Sequence, residues 1–328
     1  MGRKIFNKLK KILPFIGIII LIFYILYFED LNEIKNAFLE IHPFYILAAL
    51  SLTIPRVLIR NVAWQMILKE QKINVSFLES LKIFLIGYFY GCFTPGYMGQ
   101  LMRIPYLKEK TNEPYGKLFV NSVIETTVHT ASIYIVISIG SIYLVEQFPD
   151  LLYLVLIWMA FLIGTILYFI GKKRGEKLLF FLTKILIPKK ARSDLNQFIG
   201  TFYQDFPKIR KLILPGFIAS VTWVIIFSQE YLFVIALGIP ISYFSFLLFF
   251  PIANAAGFIP ITFAGLGTRE LTAIAIFTSP ALFPGVESHD ILVVSLMGFL
   301  ITDVCTGFVG FLVSLTETKN ENTTLSKI

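Results

Sequence analysis

Apolar side chains run through this chain in blocks of membrane length. A helix needs about 20 consecutive apolar residues to cross a bilayer core, and residues 12–28, 43–68, 118–145, 151–170, 212–237 and 291–315 each supply such a stretch. Every one predicts a transmembrane helix. Two further blocks, 81–104 and 243–283, are long enough to cross but are interrupted by Pro and Gly. The expected fold is all-α: a polytopic helical membrane protein with about eight membrane segments, two of them discontinuous or re-entrant.

The interruptions share a pattern. In the first, Pro95 is followed by Gly99 and Arg103; in the second, Pro260 is followed by Gly265 and Arg269, with Gly267 between the last two. Proline removes a backbone donor and glycine admits close backbone approach, so both break a helix. Broken backbone at membrane depth is tolerated only where protein or water covers it. One break in each half of the chain is the pattern of paired half-helices around a binding site. Half-helix N-termini offer free N–H groups and positive partial charge. Gly99, Gly265 and Gly267 would leave such amides open, and Arg103 and Arg269, with Gln100 and Glu270 beside the breaks, would complete a site for an anionic headgroup. Taken singly, each segment also fits a kinked, packed helix whose arginine reaches the interface. Their pairing favours the site.

Charge orients the chain. Lysine and arginine gather at the N-terminus and in 69–82, 103–117 and 172–211, while the connections after Phe28 and Val145 are acidic, with Glu29, Asp30, Glu33, Glu40, Glu146 and Asp150. The positive-inside rule places the basic segments and the N-terminus in the cytoplasm. The block at 81–104 then enters and returns on the inner side, and the block after Tyr243 enters from the outer side. Two inverted repeats would have that arrangement. The balanced charges after Tyr243 leave the side of the C-terminal tail open. The basic lead before 12–28 lacks a small-residue cleavage site ahead of Glu29 and reads as a retained anchor. One integral-membrane domain is expected over 1–315, with halves at 12–145 and 212–315. A span at 151–170 and a basic amphipathic region at 172–211 join them, and a polar tail follows at 316–328. In the basic region Leu178, Phe181, Leu182, Ile185 and Leu186 recur at helical spacing, as do Leu195, Phe198, Ile199, Phe202 and Phe206. Helices lying on anionic inner-leaflet lipids and a hairpin packed on the protein's own inner face both fit.

The chain of 328 residues is 56% hydrophobic and only 15% charged, which excludes an ordinary soluble domain. The net charge of +8 sits at span ends, so it speaks for topology and not for nucleic acid. Ionisable residues inside spans are costly and mark function or interhelical pairing. Arg56 and Arg60 lie one turn apart, as do Glu125 and His129, with Glu230 and Asp303 in later spans. Facing one cavity they would nearly neutralise one another, as ion-coupled transport or headgroup binding requires; salt bridges from Arg56 and Arg60 to Glu125 would explain the first three equally well. Asn121 and Asn254 read as interhelical hydrogen-bond partners. No Walker loop, His/Cys metal spacing or Asp-x-Asp pair is present, so no cofactor or metal is expected.

Arg60 with Trp64, the Pro95-Gly-x-x-Gly99-Gln100-x-x-Arg103 segment, Glu125, and Pro260-x-x-x-x-Gly265-x-Gly267-x-Arg269-Glu270 together resemble the lysylphosphatidylglycerol synthase transmembrane family, a flippase-like module. The resemblance covers roughly residues 10 to 315. Members usually carry Glu at the position of Gln100, Arg at that of Thr126 and Asp near His129, so the proton or cation chemistry here departs from theirs. With no soluble synthase domain after Leu315, the resemblance implies the translocating part alone, which moves a lipid between leaflets of the cell membrane. Two rival functions remain. One is a membrane enzyme acting on lipid or polyprenol-linked sugar, with Glu125 or Glu230 as base; the other is a noncatalytic partner of a lipid synthase encoded elsewhere.

Overall fold

The structure, a computed structural model, describes residues 16–92, 94, 97–143, 205–257, 262 and 264–325, together with 156, 157, 160 and 164. Among these there is no strand. In chain order the helices are α1 (Ile16–Phe28), α2 (Leu31–Glu40), α3 (Pro43–Glu70), α4 (Phe77–Cys92), α5 (Arg103–Thr111), α6 (Tyr115–Tyr143), α7 (Ile213–Ala236), α8 (Tyr243–Ala256), α9 (Thr268–Phe277), α10 (Ser288–Phe299) and α11 (Thr306–Leu325). A 3-10 turn, Met98–Met102, precedes α5, another, Ile209–Leu212, precedes α7, and a π-helical segment, Leu300–Cys305, joins α10 to α11.

Among the described residues, four stretches are long and apolar enough to cross a membrane: Pro43–Glu70, Tyr115–Ile139, Ile209–Ala236 and Ser288–Glu317. They coincide with four of the blocks read from the sequence. Ile19–Phe28 and Tyr243–Ala256 are shorter apolar helices. All but four residues of the span expected at 151–170, residues 172–204 of the basic region, and the breakers Pro95 and Pro260 lie outside the described residues.

Both interrupted blocks are discontinuous. Helix α4 stops at Cys92, and the chain turns through Tyr97, at φ +56°, before the 3-10 turn and α5. Helix α8 stops at Ala256, and α9 begins at Thr268 after left-handed backbone at Ala264, Gly265 and Gly267. A left-handed conformation is uncommon for a non-glycine residue and must be imposed by its surroundings. Each break holds one, Tyr97 or Ala264.

Two compact units divide the chain. The first holds the described residues of Met1–Leu58, Leu81–Met102 and Thr222–Ile328. Within it α9 packs on α1, α8 and α10, and α10 packs on α2. Phe246, Phe249, Phe250, Phe277 and Phe283 fill the seam between α8 and the turn after α9, with ring centroids as close as 4.6 Å. Gly310 lets α11 meet α4, since a Cβ there would collide with the Leu85 carbonyl oxygen. At one end of the unit Lys82 pairs with Glu317, Nζ to Oε1 at 2.8 Å. At another position His289 Nδ1 stands 3.5 Å from Glu33 Oε2, tying the start of α10 to α2.

The second unit holds Ile59–Ser80 and the described part of Arg103–Val221. Its core joins Ile67, Val120 and Ile124, with Val128, Phe206 and Leu212 packed against them. Phe206, the described residue of the expected amphipathic pattern, thus rests on the protein's own core. Asp205 receives Lys72 Nζ at 2.6 Å and Lys117 Nζ at 3.3 Å. Lys72 follows α3 and Lys117 opens α6, so the intervening chain leaves from and returns to one place, as a re-entrant segment must.

Candidate functional site

The ionisable residues that the sequence places inside spans fall into two clusters, one in each unit. In the first unit Arg269, the second residue of α9, is 2% exposed. Its Nε donates to Glu270 Oε1 and Ser295 Oγ, both at 3.1 Å. Its Nη2 donates to Glu270 Oε1 at 2.6 Å and to the Ser295 carbonyl at 3.2 Å. The guanidinium also lies 5.5 Å from the Phe299 ring centroid. Glu270 has a second duty: its Oε2 accepts the Gly267 amide at 2.6 Å, closing the N-terminus of α9. An anion is therefore already seated on that half-helix terminus, and it is the chain's own.

Beside it, the π-helical segment widens the backbone and presents carbonyls sideways. The Thr302 carbonyl accepts from Arg56 Nη2 at 2.9 Å and the Tyr88 hydroxyl at 3.2 Å, and Arg56 also donates to Thr306 Oγ1 at 2.6 Å. The Nη2 of Arg56 thus meets neutral oxygens, while its buried Nε has no acceptor among the described residues. Asp303 Oδ1 accepts from the Tyr88 hydroxyl at 2.8 Å and the Tyr97 hydroxyl at 3.0 Å. The Tyr97 oxygen is also 3.4 Å from the Ala264 carbonyl, so the two helix breaks meet at this side chain. Its single proton serves one acceptor at a time. Glu230, from α7, is 1% exposed and lies against Gly298 of α10.

In the second unit two guanidiniums share one carboxylate. Arg60 Nε and Nη2 lie 3.3 and 3.2 Å from Glu125 Oε1, and Arg103 Nη2 lies 2.6 Å from Glu125 Oε2. Arg103 opens α5, is 1% exposed, and also donates to Thr126 Oγ1 at 3.1 Å. Its guanidinium stands 5.2 Å from the Trp64 ring centroid, a cation–π distance. Trp64 in turn donates to Asn121 Oδ1 at 2.8 Å, and Asn121 donates to Gln71 Oε1 at 2.8 Å. Arg103 Nε is buried and has no acceptor among the described residues. His129 is buried one turn beyond Glu125 on α6.

The residues singled out by sequence thus fall into two groups: Arg56, Glu230, Arg269, Glu270 and Asp303 in one unit, and Arg60, Arg103, Glu125 and His129 in the other. Gly99 is a packing glycine: its amide donates to Thr94 Oγ1 at 2.6 Å, and a Cβ would collide with the Tyr90 carbonyl. Gln100 packs across Gly91, where a Cβ would sit 2.7 Å from its Cγ. Asn254 accepts the Gly257 amide through its carbonyl at 3.0 Å. Tyr88, Tyr97, Ser295 and Thr306 escaped the sequence reading. A hydroxyl inside an apolar run has no periodicity of its own, and only the fold brings these four to charged partners.

Comparison with known proteins agrees with this architecture. A UPF0104 membrane protein of Pyrococcus horikoshii is 23% identical over 316 residues, spanning 90% of this chain and 93% of its own. The family model described as "Lysylphosphatidylglycerol synthase TM region" matches residues 12–310, a range that holds both helix breaks and both buried clusters. The chain is a multi-pass helical membrane protein and belongs to the lysylphosphatidylglycerol synthase TM region family.

Proposed function

We propose that the protein is a lipid translocator, carrying a phospholipid or lipid-linked precursor with an anionic headgroup between membrane leaflets. The observation that supports this best is Arg103. A buried guanidinium N–H without an acceptor is costly, and here it is the Nε of one of two arginines that share a single carboxylate. A phosphate oxygen entering beside Glu125 would complete its hydrogen bonding and spread charge over both arginines. Arg269 is the counterpart in the other unit, held by Glu270 until a headgroup competes for it. Each arginine stands in the first turn after a helix break, where a moving half-helix carries its cation along. The discontinuous helices and the family's association with an aminoacylated phospholipid support the same reading.

The test is movement of fluorescent phospholipid in proteoliposomes, with anionic and neutral headgroups compared. Wild type is expected to move the anionic lipid faster. Arg103→Lys keeps the charge and loses the planar fork. A charge-assisted hydrogen bond is worth about 1.5–3 kcal/mol, so a fall of roughly tenfold or more is expected. Correctly inserted Arg103→Lys and Arg269→Ala variants that both move lipid at the wild-type rate would remove the arginines from the site.

A further inference from the structure

Three carboxylates belong to the buried cluster of the first unit, and the structure supplies them unequally. Glu270 accepts from the Gly267 amide, from Arg269 and from the Ser295 hydroxyl. Asp303 accepts from two tyrosine hydroxyls and lies 4.0 Å from Arg269 Nη1. Both have the donors that a buried anion requires. Glu230 is as deeply enclosed, yet its Oε2 is buried with no hydrogen-bond partner among the described residues. Its place is shaped by Gly298: a Cβ there would stand 2.6 Å from Glu230 Cγ and 2.8 Å from Oε1. The carboxyl therefore lies against bare backbone of α10, just before the π-helical segment that carries Asp303.

The charges acting on Glu230 are Arg269 and Glu270 from α9, Arg56 from α3, and Asp303. Two guanidiniums already balance two well-supplied carboxylates. An ionised Glu230 would be a third anion, enclosed and without a donor on Oε2, whereas a neutral carboxyl adds no charge and tolerates the same surroundings far better. We propose that Glu230 is a proton-binding site, loaded in this conformation and emptied as the cluster opens, so that lipid movement is coupled to the transmembrane proton gradient. This rests on the translocator reading above. On release the O–H bond breaks, its electron pair stays with the carboxylate, and the proton passes to water admitted by the parting of the helix breaks at Tyr97 and Ala264.

Two measurements judge it. Infrared spectroscopy of the reconstituted protein near neutral pH reads the carbonyl stretch of a protonated, buried carboxyl directly; the band is expected in wild type and absent in Glu230→Gln. Fluorescent-lipid movement is then followed with and without an imposed gradient of one pH unit. The wild-type rate is expected to change by up to about tenfold, the ratio of proton activities, and Glu230→Gln is expected to run at one rate in both conditions. Absence of the band, or an equal gradient response in the two proteins, overturns the proposal. Wild type that moves no lipid at all would overturn the translocator reading and the coupling with it, and the infrared band would still decide whether Glu230 holds a proton.

Discussion

Gly265 sits under two constraints at once. Its φ of +79° lies in the left-handed region, and a Cβ placed on it would come 2.8 Å from the Cα of Gly257 across the break. An alanine pays the conformational penalty and the collision together. Gly265→Ala should therefore lower stability by about 1–3 kcal/mol, read as a fall in thermal midpoint in detergent. Gly238 has a φ of +64° and open space around its Cβ position, so Gly238→Ala is the control for backbone strain alone. If the two variants melted together, close packing of the second break would not be what holds it. The same close approach brings Ala264 under the Tyr97 hydroxyl, so the residue that fixes the backbone also fixes where the breaks meet.

Among the elements, the junction at Asp205 shows how polar contacts set the ends of the apolar ones. Asp205 joins the turn after α3 to the first turn of α6, through Lys72 and the buried Lys117. The hydrogen bond from Lys72 holds the Asp205 carboxyl below its ordinary value and raises the Lys72 ammonium above its own. A lowered carboxylate stabilises above the ordinary pKa of about 3.9 and loses that contribution as pH falls through its folded value; a raised lysine contributes below about 10.4 and loses it as pH rises through its folded value. The junction should hold between those limits. Hydrogen exchange of 205–212, corrected for intrinsic rate, should stay level from about pH 5 to 9 and rise in more acidic solution. Asp205→Asn should raise it at neutral pH; an unchanged rate would mean the apolar contacts of Phe206 and Leu212 fix the junction alone. Much of the element order was legible beforehand, because transfer into a bilayer selects long apolar runs and Pro or Gly marks their breaks. The π-helical segment was not: 300–305 contains neither Pro nor Gly, and its Thr302 carbonyl is held by Arg56 and Tyr88 from helices distant in sequence. Glu270 stands out in the sequence as a charge beside its break, but its capping of Gly267 depends on a backbone turn that no pattern encodes.

At the scale of the whole molecule, charged contacts of the first unit lie in the first half of α4 and at the start of α10. Helix α4 descends from the end marked by the Lys82–Glu317 pair, whereas α10 begins at the His289–Glu33 contact, with α8 and α9 packed in series beside it. The chain between those marks includes one membrane-length stretch, Ser288–Glu317. Lys82 and Glu317 should then share one side of the membrane and His289 the other, which would put the C-terminal tail on the side of the basic segments, a point that its own balanced charges leave undecided. Impermeant maleimide labelling of sealed vesicles checks this in a Cys92→Ser, Cys305→Ser background, carrying Lys82→Cys, Glu317→Cys or His289→Cys singly. The first two variants should react from the cytoplasmic face and the third from the outer face. Such a result would give the breaks, which meet at Tyr97, the opposed entries of an inverted pair, so that closing one side could open the other around the same buried charges. Labelling of Lys82→Cys and Glu317→Cys from opposite faces would rule out that symmetry, and alternating access built on it, whatever lipid the protein carries.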